Sequence, residues 1–351
     1  MVKSIVPYLP RAIGIVTMVS FAMALVPMAQ ASPVPFMYVD LPDMQDETDN
    51  APQMIQSDVN WIANNQASKN IAYVGQLGDI TNGSAANEFQ TAHNALFPLN
   101  NVSGLVWGTV PGDHDSIPPS GVANYVSYFG AANFTGQSWY GSSNSSTGAS
   151  SYQVFQQGGR SYLVLDLEYH AAFPSTAEIN WAQGIINSHL GMPTLLQTHQ
   201  YLNYDGTLLS GEGTTMWNNL VNNNSQIFMV TCGHVENGAT IDGGEAFTTA
   251  TDAAGKSVYE VLSNYQSIDN TGDGLMRLFQ FDEANSKINV SLYSPYVSTY
   301  NNLNDPNTNF SISMNFDSRL GAAVPEPSTL VLAAAGAVVL LGYGWRRRRS
   351  A

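Results

Sequence analysis

Short apolar runs alternate with stretches of helical spacing through the first two thirds of the chain, and this alternation restricts the fold more than any other feature. The run 36–39 is strand-like, Ile55, Val59 and Ile62 then recur at helical spacing, and 71–74 is strand-like again. Phe89, Ala92 and Leu96 mark a second helix before the run 105–110. Ser175 and Glu178 form a capping-box pattern ahead of Ile179, Ala182, Ile185 and Ile186, between strand-like runs at 162–165 and 194–196. A helix around 216–221 precedes the run 227–230, and from Ala246 onward only strand patterns follow, at 257–262, 275–281 and 288–293. Alternating strand and helix with a strand-rich end predicts an α/β fold in one domain, with sheets packed together and helices outside.

The runs end on chemistry. Gly78-Asp79 follows 71–74, Gly112-Asp113-His114-Asp115 follows 105–110, Thr198-His199 follows 194–196, and Gly233-His234-Val235-Glu236 follows 227–230. The first run empties into Asp40-Leu41-Pro42-Asp43-Met44-Gln45. A single Gly-Asp reads as a turn dipeptide. In open α/β sheets, however, ligands bind outside the carboxyl ends of the strands, and turn chemistry alone does not explain four ends carrying Asp, His or Glu.

Both termini read as targeting segments. Lys3 and Arg11 precede the apolar run 12–26, and Ala29-Gln30-Ala31 has the small-x-small form of a cleavage site, so 1–31 reads as a secretory signal peptide. The other end has Val324-Pro325-Glu326-Pro327, an apolar stretch over 330–345, and Arg346-Arg347-Arg348-Arg349. Roughly 17 to 25 apolar residues span a bilayer, so this stretch is borderline, and the arginines would hold its end on the cytoplasmic side. A single-pass tail anchor is one reading. The combination over 324–351 also resembles the PEP-CTERM sorting signal. That resemblance implies handling by an export and sorting machinery, transient anchoring in the inner membrane, cleavage near the motif, and delivery to the cell envelope or extracellular matrix.

Between these ends, residues 32–324 hold 26 Asp and Glu against 6 Lys and Arg, a net charge of about −20 where the whole chain has −15. Such a field repels polyanions, so no nucleic acid polymer is expected as partner. Cys232 is the single cysteine, which leaves no internal disulfide, and its place on an apolar run predicts a buried small hydrophobe. The Ser-, Gly-, Asn- and Thr-rich stretch 141–151 reads as a flexible loop. Gly255-Lys256-Ser257 lacks the earlier P-loop glycine, since Ala250 stands there, and reads as a hairpin turn. Asp269-Asn270-Thr271-Gly272-Asp273-Gly274 has the glycine of a calcium loop, but Gln280 stands where its bidentate Glu should be. No G-x-S-x-G occurs. His93, His170 and His189 read as structural histidines, on a helix, in a loop approach and at a helix end.

Asp43, Gln45, Asp79, Asp113, His199, His234 and Glu236 are the ligand types that a pair of divalent ions needs in order to bind and polarise a phosphoryl group. Their order and spacing, from about Phe36 to Tyr296, resemble the calcineurin-like metallophosphoesterase superfamily. The resemblance implies a layered α/β/β/α sandwich over 32–320 with a strand-rich C-terminal part. It also implies that Asp43, Gln45, Asp79 and Glu236 hold one metal and that Asp79, Asp113, His199 and His234 hold the other. His114, oriented by Asp115, would act on the leaving oxygen. Two positions depart from the family: Asp113 stands for its Asn and Glu236 for its His. Four carboxylates cancel the +4 of two divalent ions, which weakens Lewis acidity and shifts preference from Zn toward harder ions such as Mn, Mg or Ca, with Fe also open. The expected function is an exported metal-dependent phosphoesterase acting on a small phosphate ester. The alternative is an acidic, cation-binding envelope or matrix protein that keeps the fold with weak or no catalysis.

Overall fold

The computed structural model of the chain describes residues 33–169, 174–298 and 307–323. In chain order these form β1 (Phe36–Leu41), α1 (Gln45–Asn50), α2 (Pro52–Lys69), β2 (Ile71–Gln76), α3 (Ala86–Leu96) and β3 (Val106–Thr109). There follow α4 (Ala123–Phe129), β4 (Tyr140–Ser143), β5 (Ser151–Gln157), β6 (Arg160–Leu167), α5 (Thr176–Ser188), β7 (Thr194–Thr198), α6 (Glu212–Asn219) and β8 (Ile227–Cys232). The last elements are β9 (Glu245–Thr251), β10 (Ser257–Ser263), β11 (Met276–Asp282), β12 (Lys287–Tyr293), β13 (Phe310–Ser313) and α7 (Phe316–Leu320).

Two mixed sheets result. One has the order β13-β12-β11-β1-β2-β3 and the other β4-β5-β6-β7-β8-β10-β9. β1, β2 and β3 run parallel, as do β6, β7, β8 and β10, while the outer strands join antiparallel. Between the sheets lies a core of Phe36, Tyr38, Tyr73, Phe155, Tyr162, Phe228, Phe279 and Phe281. The outer face of the first sheet packs its Val39, Val74 and Trp107 against Ile55, Val59 and Phe89 of the helices. Leu165, Leu196 and Val230 of the second sheet pack on Ala182, Ile186 and Met216. The architecture is thus helix, sheet, sheet, helix, the layering that buries both faces of parallel strands.

The local signals explain these elements. Ser175 Oγ accepts from Glu178 N at 3.1 Å, capping α5. The Glu178 carboxylate, which the capping-box pattern would turn back to Ser175, instead accepts from Ser150 Oγ and from Glu168 N at 3.1 Å. The Gly255-Lys256 segment closes the β9–β10 hairpin, with Asp252 Oδ1 accepting from Lys256 N at 2.7 Å. Cys232 is fully buried. His93 stacks on Phe97 with centroids 3.8 Å apart, and His189 caps α5 through Ile185 O at 2.8 Å. His170, the expected signal peptide and the expected membrane segment lie outside the described residues. Among the described residues no helix is long and apolar enough to cross a membrane.

Two expectations need correction. The stretch 141–151 is not simply a flexible loop, because β4 and the start of β5 form an edge hairpin there, with Asn144 Nδ2 donating to Glu168 at 2.9 Å. The end beyond Ala246 is not purely strand, since Asn315 Oδ1 accepts from Ser318 N at 2.9 Å and starts the single-turn α7. β5 also escaped the periodicity reading, because its inward face carries Ser151 and Gln153 as well as Phe155. These polar groups belong to a layer buried between the sheets. Tyr73 Oη donates to Gln153 at 3.1 Å and to Gln197 at 3.0 Å, and Gln197 Nε2 donates to Tyr38 Oη at 3.0 Å and to Asp40 at 3.4 Å. Burial pushes both Asp40 and Asp166 in this layer up to about 8.

Candidate metal centre

The carboxyl ends of the parallel strands lie together. After β1 the chain turns so that Met44 N donates to Asp79 O at 3.0 Å, which places Asp43 and Gln45 beside the turn that follows β2. Gln76 braces that turn by accepting from Gly78 N at 3.1 Å and donating to Gly78 O at 2.7 Å. Asp79 has φ +51° and His234 has φ +69°, left-handed backbone that non-glycine residues hold at a cost of about 1 kcal/mol or more. Such strain is kept where the surrounding structure insists on one orientation.

Two glycines show how close the turns approach. A Cβ at Gly112 would stand 2.1 Å from Asp79 Oδ1, and one at Gly233 would stand 2.1 Å from Asp43 Oδ1. The glycine of each motif therefore leaves the space that a ligand atom from another strand end fills.

Four side chains meet most closely. Asp79, Asp113, His199 and His234 each bring one ligand atom within 4.8 Å of the others. His199 is buried, and its Nδ1 lies 2.9 Å from Leu77 O, so Nδ1–H donates to that carbonyl and Nε2 faces the acids. That Nε2 is 3.1 Å from Asp113 Oδ1 and 3.3 Å from Asp79 Oδ1. His234 Nδ1 is 3.0 Å from the same Asp113 oxygen, and its Nε2 is 2.6 Å from Gln200 Nε2. Burial lowers the His199 pKa, but Asp79 and Asp43 outweigh it and hold the imidazole above its ordinary value. Burial raises Asp113, and hydrogen bonds from His199 and His234 bring it well below the carboxylate range.

The other expected ligands flank this group. Asp43 accepts from His234 N at 3.0 Å and from Asn264 Nδ2 at 3.0 Å, and burial pushes its carboxyl up. Gln45 Nε2 donates to Asp79 Oδ2 at 3.2 Å and also to Gln266. Glu236 stands apart from the four, accepting from Ser267 Oγ at 2.7 Å.

His114 and Asp115 behave differently from expectation. The Asp115 carboxylate does not orient His114. It is fully buried and accepts from Ile80 N, Thr81 N, Thr81 Oγ1 and Gly112 N at 2.8–3.0 Å, stitching two turns together. His114 Nδ1 lies 2.7 Å from Asn82 O, which orients the ring instead, and His114 N donates to Asp79 Oδ1 at 3.0 Å. Burial lowers the His114 pKa, but the Asn82 carbonyl and the nearby Asp79 and Asp113 raise it above the ordinary value. Asn264, Gln266, Gln200 and Asn82 were missed because they are amides. Asn264 nonetheless follows β10 as His199 follows β7, and the same strand-end rule finds it.

Residues 323–349 match the family described as the PEP-CTERM protein-sorting motif, which marks the chain as exported. Over 295 residues the chain is 28% identical to the uncharacterized protein YvnB of Bacillus subtilis (strain 168), a match covering 81% of this chain and 22% of that one. The chain thus spans less than a quarter of that curated relative. Among solved structures, purple acid phosphatase PPD1 from yellow lupin (Lupinus luteus) aligns with TM-score 0.50 at 11% identity, covering 85% of this chain and 57% of that one. The fold is similar to that of this phosphatase. A dimetal phosphatase from Danio rerio aligns with TM-score 0.46 at 12% identity, covering 80% of this chain and 99% of that one.

Within this metallophosphoesterase-like fold, the residues at the strand ends fit metal ions on their own chemistry. Carboxylates and imidazoles converge without a Lys or Arg among them, and the Gln45 amide lies beside them with its Nε2 donating to Asp79. Gln45 Oε1 is buried without a hydrogen-bond partner among the described residues, the kind of orphaned acceptor that a cation satisfies.

Proposed function

We propose that the chain is an exported, metal-dependent phosphoesterase of low charge surplus at its centre, acting on a small phosphomonoester or phosphodiester. The observation that carries this reading is the convergence of Asp79, Asp113, His199 and His234 at the ends of parallel strands. One divalent ion would be held by these four and a second by Asp43, Gln45, Asp79 and Glu236. When bound, the ions supply charge for the phosphoryl oxygens and activation of the attacking water. The domain would occupy 32–320, between a signal peptide at 1–31 and the sorting signal at 324–351. The sorted protein would reach the cell envelope or extracellular matrix after transient anchoring by its tail.

The chain's own groups divide the remaining work. His199 and His234 hold Asp113 by its Oδ1, and Asp79 faces both His199 and the His114 amide. His114, half-buried and held at Nδ1 by Asn82 O, would give a proton from Nε2 to the leaving oxygen, a role that the Asn82 carbonyl and the nearby Asp79 and Asp113 support by favouring the protonated ring. Tyr169 lies edge-on to His199 with centroids 6.1 Å apart and walls one side of the site.

The test is hydrolysis of p-nitrophenyl phosphate and its bis ester with Mn, Mg, Ca, Zn or Fe added, alongside elemental analysis. Turnover abolished by Asp79→Ala and strongly reduced by His114→Ala is expected. Stoichiometric metal without turnover would replace this reading with the cation-binding protein, which the carboxylate of Asp113 between two histidines also favours.

A further inference from the structure

A second group of carboxylates lies behind the first. Gln45 and Glu47 sit two residues apart on α1, and where Gln45 reaches Asp79, Glu47 points to the loop 269–274 and accepts from Gly274 N at 3.1 Å. Asp58 on α2 comes to the same place. Glu47 is 6% exposed and Asp58 4%. Asp58 Oδ1 has no hydrogen-bond partner among the described residues, although it lines a cavity with Glu47, Asp43, Met44, Gly272, Tyr265 and others. That cavity leaves about 10 Å³ for the centre of a water-sized body, room for a single ion.

The loop closes over both acids. A Cβ at Gly272 would stand 3.3 Å from Glu47 Oε1, and one at Gly274 would stand 3.2 Å from Asp58 Oδ1. Half-buried Asp273 sits between those glycines and adds its charge to that of Glu47. Among the described residues no Lys, Arg or His forms an ion pair with Glu47, Asp58 or Asp273. Buried carboxylates without a cation are costly, and an unpartnered oxygen facing a cavity of ionic size is where a cation repays that cost.

We propose that Glu47 and Asp58, covered by the 269–274 loop, form a further cation site that takes a calcium-class divalent ion, separate from the Asp79, Asp113, His199 and His234 group. Neither imidazole nor thiol lines the cavity, which removes the preference for Zn or Cu. Oxygen donors from two helices and an irregular loop suit calcium, which accepts loose geometry, better than magnesium, which demands an octahedron. The two proposed ligand carboxylates, Glu47 and Asp58, come from α1 and α2, so Gln280, exposed on β11, has no part in the site. An ion there ties both helices to the loop directly behind Asp43 and Gln45.

The experiment uses the full chain carrying His199→Ala, Asp113→Ala and Asp79→Asn, the last because Asp79 would be shared by both ions of the first centre, so that calcium at that centre is not what is read. Calcium chloride in excess after chelator treatment is expected to raise Tm by about 5 °C at a hundredfold excess over Kd. Terbium is expected to give tyrosine-sensitised luminescence that calcium displaces. Adding Asp58→Asn and Glu47→Gln should remove both responses while circular dichroism shows a folded chain. If those two substitutions impair folding, Asp58→Asn alone with calcium measured by elemental analysis decides the matter. The proposal is overturned if the parent shows no calcium-dependent shift, or if the response survives Asp58→Asn. It is equally overturned if Asp58→Asn stabilises the chelated protein and calcium has no effect, because the two acids then share a proton.

Discussion

The Asp115 carboxylate accepts the backbone N–H of Thr81 at 2.8 Å across 34 residues of chain, and so fastens the turn after β2 to the turn after β3. With Ile80 N, Gly112 N and the Thr81 hydroxyl it forms a buried knot that holds Asp79 in its left-handed conformation. Asp115→Ala leaves these donors unpaired and is expected to cost about 3 kcal/mol or more. Urea unfolding checks this, and a loss under about 1 kcal/mol would mean that the knot is not what holds the turns.

Gly112→Ala probes close approach without replacing any titratable group. Its Cβ would enter the space of Asp79 Oδ1 and Asp79 N, at 2.1 and 2.4 Å, so the Asp79 turn must move. A stability loss of about 1–3 kcal/mol is expected, together with weaker metal uptake. Metal stoichiometry equal to that of the parent would refute the geometric argument.

Asp40 gives the pH dependence a definite sign. Burial raises its pKa from 3.8 to about 8, against the opposing effects of Tyr38 and Arg277. Between those values the folded chain keeps a proton that the unfolded chain releases, so this contribution is complete below about pH 4, falls as pH rises, and is gone above about pH 8. Asp40→Asn should flatten the decline of unfolding free energy between pH 5 and 8 by at most about 1.4 kcal/mol per pH unit. An unchanged slope would show that Asp40 is ionised in the folded state.

Asp113→Asn removes one negative charge from between His199 and His234. If four carboxylates hold activity down, turnover of p-nitrophenyl phosphate should rise by about tenfold or more, equivalent to about 1.4 kcal/mol of barrier. Turnover that falls, with Kd for inorganic phosphate unchanged, would locate the limitation elsewhere.

The chain's own order made a good part of this legible. Parallel strands advertise themselves as apolar runs, and acids or imidazoles at their ends belong to the same edge whichever strands are neighbours. For that reason Asp43, Asp79, Asp113, His199 and His234 were readable as candidate ligands one motif at a time. The paired sheets and outer helices followed from the same alternation. β4, β5, β9 and β13 did not, because they are edge strands or carry polar residues inward, and periodicity registers only the contrast between apolar and polar.

What the tertiary structure alone decided is the use to which each polar group is put. Asp115 was readable as a neighbour of His114, yet its partners come from the turn after β2. Glu236 was readable as a ligand beside Asp43, Gln45 and Asp79, yet the side chain that donates to it is Ser267. Asn264 reaches Asp43 across 221 residues, and Asp58 meets Glu47 under a loop more than 200 residues further on. Local sequence determines which strand ends are acidic, because side-chain alternation and turn formation are short-range effects. Sheet order and the closure of loops over them determine which acid meets which donor, because a buried carboxylate takes whatever partner the packed neighbours bring within 3 Å or so.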